Sequence, residues 1–96
     1  MTLEFRDGPD GERFYLGRRG IHAGDGLYLG IPRVPGVAGE DTTWVPVRFE
    51  IGHRRSSWNA RYAPMVHLTL RTDGPAGTTI SFELPPGAEV RWTPKG

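Results

Sequence analysis

A basic, aromatic stretch between residues 53 and 62 is the part of this sequence best suited to chemistry. It contains three arginines, two aromatic residues and no acidic residue, namely Arg54, Arg55, Trp58, Arg61 and Tyr62. Guanidinium groups bind phosphate through charge and paired hydrogen bonds. Aromatic rings offer faces on which bases stack, with roughly 1–3 kcal/mol per base. The stretch therefore predicts contact with nucleic acid.

Two other interpretations of the same stretch stay open. Trp, Tyr and Arg are also enriched in the hot spots of protein–protein interfaces, so the composition does not separate a nucleic acid from a protein partner. Alternatively, the stretch is an ordinary solvated loop, and Trp58 and Tyr62 pin it to the core of the domain.

Three arginines outside the stretch extend the predicted binding surface. Arg18 and Arg19 lie in a turn between two glycines, and Arg48 lies on the polar side of a strand that runs directly into the stretch. If the fold brings the turn beside residues 53–61, one positive face results. Otherwise Arg18 and Arg19 are unrelated solvated side chains.

The sequence contains no recognisable catalytic constellation. Ser56 and Ser57 lie near His53, but no strained Gly-x-Ser-x-Gly elbow and no local carboxylate accompany them. His22 and Asp25 are too few for a zinc site, which needs three or four ligands. We expect them to form a turn in which Asp25 bonds the backbone and a neighbouring glycine adopts positive φ. The prediction is a protein that is not an enzyme and that holds no metal or cofactor.

Composition and charge bound the class of protein. The net charge is +1, yet residues 48–71 carry five Arg and one Glu, giving +4, and the remainder carries seven basic and ten acidic residues, giving −3. The chain has no cysteine, which excludes disulfides and thiolate sites. No apolar run approaches the roughly 20 residues that cross a bilayer, and no signal-peptide pattern is present. We therefore expect a cytoplasmic protein with no membrane partner.

Short alternating strands must position these side chains. The clearest covers residues 43–51, in which apolar and mostly polar positions alternate strictly. One predicted face carries Val45, Val47, Phe49 and Ile51, and the other carries Trp44, Pro46, Arg48 and Glu50. Similar patterns predict a hairpin over residues 3–16 and strands near 27–31, 65–71, 78–84 and 89–93. Trp44 and Trp92 become binding candidates if their strand faces are open to solvent.

The punctuation between these strands predicts the fold class. Fourteen glycines and nine prolines in 96 residues indicate many short strands with tight turns, with one possible helical turn near residues 58–62. We expect a single domain over residues 1–96, an SH3-like β-barrel of five to seven short strands, because closing the sheet removes edges that invite aggregation. An OB-like barrel and a compact β-sandwich are the alternatives.

Four motifs occur in a characteristic order along the chain. They are Arg13-Phe14-Tyr15, His22-Ala23-Gly24-Asp25, the strand from Trp44 to Glu50, and Gly87-Ala88-Glu89-Val90-Arg91. This order resembles a family of small uncharacterised bacterial β-barrel domains that are often encoded on mobile elements. The chain departs from the family's pattern by longer loops at 32–42 and 52–64. The family carries no established activity, so the resemblance implies a fold and a phage or plasmid setting but no site.

The functional expectation is therefore a non-catalytic module that contacts nucleic acid, or a nucleic-acid-processing complex, through the basic, aromatic stretch. The first alternative is a protein–protein adaptor or inhibitor encoded by a phage or mobile element. The second is a structural subunit of a larger assembly.

Overall fold

The computed structural model describes residues 1–32, 41–53, 58, 60–70 and 77–95. Within these ranges the chain forms strands and no helix, so the all-β prediction is confirmed. Residues 60–62 form bends rather than the expected helical turn, and no helix in the described ranges is long and apolar enough to span a membrane. The strands are β1 (Glu4–Gly8), β2 (Gly11–Leu16), β3 (Arg19–Gly20), β4 (Gly26–Ile31), β5 (Thr43–Gly52), β6 (Ala63–Leu70), β7 (Thr78–Glu83) and β8 (Val90–Arg91).

The strands lie in two antiparallel sheets. The first has the order β1-β2-β3, and the second has the order β7-β6-β5-β4-β8. The predicted hairpin near the start of the chain is β1 and β2, which pair in register from Glu4 opposite Tyr15 to Gly8 opposite Gly11.

These sheets do not close into the predicted barrel over the described residues. β3 has only two residues, so it offers too few backbone groups to continue the ladder, and β7 ends the second sheet. An isolated antiparallel bridge between Thr2 and Glu89 links the residues that precede β1 to the residue that precedes β8. Beside it, the Val90 N–H donates to the Met1 carbonyl oxygen at 2.8 Å.

The alternation predicted for residues 43–51 is confirmed in β5. Val47 and Phe49 are buried, whereas Pro46 and Arg48 are exposed. β5 pairs with β4 along its first half, and its pairing with β6 begins only at Arg48. A proline that lacks an N–H donor is tolerated in a strand where one neighbour is missing, which explains Pro46 in this otherwise central strand.

The core lies between the two sheets and is built around aromatic rings. Phe14 of β2 makes edge-to-face contacts with Phe5 and Phe49, at centroid distances of 4.9 Å and 6.0 Å. Such pairs add about 0.5–1.5 kcal/mol beyond the burial of their area. The buried cluster comprises Leu3, Phe14, Leu16, Ile21, Leu27, Leu29, Val47, Phe49, Val66, Leu84 and Val90.

The turn between β3 and β4 has the predicted construction. Asp25 accepts a hydrogen bond from the His22 backbone N–H at 2.8 Å, and Gly24 adopts a φ of 92°. The Gly24 N–H then donates to the Phe49 carbonyl oxygen at 2.7 Å. Glycine is favoured at this φ because it has no Cβ. The hydrogen bond from Gly24 to Phe49 connects the turn to β5.

Candidate nucleic-acid interface

Trp58, predicted as a stacking face, lies partly buried against the core. Its indole ring meets Phe14 edge-to-face at 5.4 Å between centroids. Its Nε1–H donates to the carbonyl oxygen of Leu84 at 2.5 Å. These contacts are those of a side chain packed on the core, and part of the ring remains exposed.

Arg61 and Tyr62 directly precede β6 in the second sheet. Tyr62 is half-buried and packs on the core cluster. The Arg61 Nε lies 3.6 Å from a carboxylate oxygen of Glu12, and the two side chains are 69% and 48% exposed. An exposed pair at this distance contributes little to stability, but the carboxylate offsets the positive charge that phosphate would need. Arg54 and Arg55 lie outside the described residues.

Arg48 lies on the outer face of the second sheet, as predicted. Its Nε is 3.0 Å from the Glu50 carboxylate, two residues along the same strand and therefore on the same face. Across the ladder it lies opposite Gly26 and His67. Its charge is thus partly neutralised before any ligand approaches.

The structure does not bring Arg19 together with Arg61. Arg19 lies opposite Leu16, at the last residue of β2, whereas Arg61 contacts Glu12 near its start. Four residues of a strand span about 13 Å. Arg18, which is exposed, immediately precedes Arg19, so the predicted basic residues fall at separate places along β2.

Two arginines stack on tryptophans instead. The guanidinium carbon of Arg91 lies 3.9 Å from the centroid of the Trp44 ring, and that of Arg19 lies 4.3 Å from the Trp92 ring. Cation–π contacts of this kind contribute about 0.5–1 kcal/mol at exposed positions. Because Arg91 and Trp92 are consecutive residues, both stacks are anchored at one short segment.

Backbone contacts hold the two indoles in place. The Trp92 Nε1–H donates to the Leu16 carbonyl oxygen at 3.3 Å. The Trp44 ring lies over Gly30, where an added Cβ would come within 2.9 Å of the ring carbons. Each indole is therefore held against the backbone, and each arginine stacks on an indole whose position is fixed. We call Arg18, Arg19, Trp44, Arg91 and Trp92 the stacked-arginine surface; its two stacks are linked through the consecutive residues Arg91 and Trp92, of which Trp92 also packs on the core cluster.

The arginines of this surface are free of carboxylates within the described part of the chain. The described ion pairs of arginine involve Arg6, Arg48 and Arg61. The N–H donors of a guanidinium group lie in its own plane, so stacking leaves them available; one of them, the Nη1 of Arg91, donates to the Pro94 carbonyl oxygen at 3.4 Å. The stacked-arginine surface can therefore present unneutralised, oriented donors to an anion.

Arg91 was missed by the sequence analysis, and Trp44 and Trp92 were left conditional there. The signal that could have identified Arg91 is the outer sheet face that it shares with Tyr28 and Pro46, through the pairings Tyr28–Arg91 and Tyr28–Pro46. That signal depends on the pairing of β4 with β8, which alternation along a single strand does not indicate.

Comparisons of the chain with family models, curated proteins and solved structures found no match. Among the described residues, no group of three or more His, Asp or Glu side chains is placed to hold a metal ion.

Proposed function

We propose that this protein is a non-catalytic binding module that contacts nucleic acid through the stacked-arginine surface. One observation carries the proposal: Arg19 and Arg91 are each fixed on an indole ring and have no carboxylate partner among the described residues. Arginine binds phosphate bidentately and stacks on flat rings, which lysine does not do equally well.

The contrast with the other exposed arginines supports this location. Arg48 and Arg61 each lie near a glutamate, so phosphate would have to compete with that carboxylate. Among the described residues Arg19 and Arg91 have no such competitor, and stacking has already reduced the conformational entropy that binding would cost. Arg18 adds a further positive charge beside Arg19.

Tyr28 supplies a candidate ring for base contact on the same face. It is half-buried and lies directly opposite Arg91 in the ladder, where side chains of paired residues approach within about 5 Å. A half-exposed ring beside a free guanidinium group is the combination that single-stranded nucleic acids use, with stacking from the ring and phosphate contact from the arginine.

Binding of labelled single-stranded DNA, single-stranded RNA and duplex DNA, measured by fluorescence anisotropy over a series of salt concentrations, tests the proposal. The double variant Arg19→Ala/Arg91→Ala should weaken binding and reduce the slope of log affinity against log salt. Each lost phosphate contact changes that slope by roughly 0.7 for single strands or 0.9 for duplex DNA.

A matched control is the double variant Arg48→Ala/Arg61→Ala, which removes the same charge from carboxylate-paired arginines. We expect a clearly smaller effect. Equal losses in both double variants would mean that only net charge matters, and the absence of binding at low salt would exclude the proposal. Arg54→Ala/Arg55→Ala tests the stretch at 53–62; if it alone abolishes binding, the interface lies there.

A protein partner is the alternative, and the exposed edge strand β7 favours it. Its burial pattern is mainly exposed, and Ile80 is 43% exposed. An uncovered edge offers backbone groups for strand addition. An adaptor, an inhibitor or a subunit of a larger assembly using this edge would form a complex that survives about 0.5 M salt, where charge contacts are screened. A pull-down with and without nuclease separates the two functions.

For the fold type, we propose an opened relative of the SH3-like barrel, supported by the bridge between Thr2 and Glu89 that joins the sheets at one point. The proposed setting is the bacterial cytoplasm, on a phage or plasmid, as the motif resemblance implies.

A further inference from the structure

One cavity of the molecule is lined by none of the residues of the stacked-arginine surface. Its volume is about 320 Å³, and its apolar lining comes from both sheets: Phe14, Ile21, Phe49 and Ile51. Tyr62 forms one wall. Glu12, near the start of β2, is also at its lining, whereas Arg19 lies opposite the last residue of that strand. The cavity is therefore a separate place on the molecule.

Two side chains at the cavity supply donors. Arg13 and His22 both line it, and an Nη1 of Arg13 lies 2.6 Å from the His22 Nδ1. For that contact to be a hydrogen bond, Nδ1 must accept, which puts the imidazole proton on Nε2. Arg13 takes part in none of the described ion pairs, so its charge is not cancelled by a carboxylate among the described residues.

Arg13 also has a buried donor with no acceptor. Its Nε is buried and has no hydrogen-bond partner among the described residues, although buried N–H groups are nearly always bonded. The stem of Arg13 packs closely against Gly20, where a Cβ would come within 2.9 Å of the Arg13 Cδ. An anion whose two oxygens were bound side by side by Nε and one Nη would satisfy this donor.

The negative charge at the cavity, that of Glu12, already has a cationic partner. Glu12 lies beside Arg61, with 3.6 Å between the carboxylate oxygen and Nε. Together Glu12, Arg13 and Arg61 carry a formal charge of +1. A cavity with this excess of positive charge and with walls formed by Ile51 and Tyr62 suits a single negative charge on an apolar body.

We propose that this cavity binds a small monoanionic molecule with an aromatic or branched apolar body, its carboxylate held by Arg13 and His22. A volume of 320 Å³ is at the lower end of the roughly 300–1,000 Å³ of ligand pockets, so the ligand has one or two rings. The apolar body lies against Ala23, Ile51 and Tyr62, the apolar lining residues that are not buried.

Heteronuclear NMR titration with phenylpropionate, and with the neutral phenylpropanol as its matched probe, tests the proposal. The carboxylate should shift the amide signals of Phe14, Ile21, His22 and Tyr62 and leave those of Arg19 and Arg91 in place. The alcohol, which has the same ring and no charge, should bind at least about tenfold more weakly, since it lacks the charge-assisted hydrogen bonds.

Two variants separate the charge of the cavity from its space. Arg13→Gln removes the cation and should weaken phenylpropionate binding by about tenfold or more. The affinity for phenylpropanol should not change. Ala23→Leu narrows the cavity without changing charge and should weaken both probes. Both variants should keep the dispersed spectrum of the parent, and both should keep its nucleic-acid affinity, so the two proposals fail separately.

Three results would overturn the proposal. The first is that neither probe shifts the cavity's amide signals. The second is that phenylpropionate shifts the stacked-arginine surface instead. The third is that Arg13→Gln, folded as judged by its spectrum, binds phenylpropionate as tightly as the parent.

Discussion

The arginines of this protein differ in what lies beside each guanidinium group. Arg48 and Arg91 are carried on the same outer face of the second sheet, through their pairings with neighbouring strands. Arg48 lies 3.0 Å from Glu50, whereas Arg91 lies 3.9 Å above the ring of Trp44. A carboxylate cancels charge, but a ring orients the cation and leaves it intact. The partner therefore decides whether an exposed arginine is available to an anion.

Two neighbouring glycines provide a prediction at the scale of single residues. Gly24→Ala should lower the free energy of unfolding by about 1–2 kcal/mol, because its φ of 92° is costly for an L-residue. Gly26→Ala should change it little, because Gly26 has no positive φ and an added Cβ would meet no atom within 4 Å. Urea denaturation of both variants measures the difference. Equal destabilisation would contradict the assigned backbone strain.

At the same scale, sequence reasoning indicated the turn but left open whether Trp58 and Tyr62 bind a partner or pack on the core. The turn at residues 22–25 is local, so the residue types alone indicate it. Trp58 instead donates to Leu84, 26 residues away, and Trp92 donates to Leu16, 76 residues away. Which indole is covered depends on such distant partners, and no local pattern contains them.

Among the elements, the strands with one buried face were predictable because their side chains alternate with a period of two. β5 follows that rule. β7 follows it only in part: Ile80 lies on the same face as Phe82, yet it is 43% exposed. The first sheet has three strands, one of them only two residues long. How much of a strand's inner face is buried depends on how far the opposing sheet extends. The strand's own sequence does not contain that information.

The exposed edge of β7 leads to a prediction about this element. Ile80→Lys should reduce self-association at high protein concentration, because a charge on an edge strand opposes edge-to-edge pairing. The free energy of unfolding should change by no more than about 0.5 kcal/mol, as for an exposed position. Light scattering over a concentration series, together with urea denaturation, measures both quantities.

Thr79→Lys is the matched control for that change. Thr79 is also exposed on β7, so the variant adds the same charge to the same strand and keeps the isoleucine. If Thr79→Lys suppresses association as strongly as Ile80→Lys, the added charge alone accounts for the effect; a smaller suppression assigns the remainder to the loss of the exposed isoleucine.

Across the whole molecule, the order of strands was the least predictable feature. β8 pairs with β4 although some sixty residues separate them, and Thr2 bridges to Glu89. These pairings join segments by proximity in the folded state, and each segment alone is compatible with several neighbours. The all-β class was therefore within reach of sequence reasoning, whereas the two-sheet arrangement and the stacked-arginine surface at its edge were not.

The shared core predicts that both sheets unfold together. Val90 is fully buried, and its backbone bonds to Met1, so Val90→Ala should cost about 2 kcal/mol through lost burial and a residual cavity. Native-state hydrogen exchange should show protection of β2 and β6 falling by the same free energy. Loss of protection in one sheet alone would show that the sheets are independent cooperative units.

The bridge between Thr2 and Glu89 also fixes the timing of folding during synthesis. The hairpin of β1 and β2 is local and forms early, since neighbouring residues close short loops quickly. Its apolar face, however, gains the flanking β8 segment only after residue 89 has been translated. A chain not yet translated as far as Val90 therefore lacks part of its core, and the apolar surface left uncovered favours aggregation.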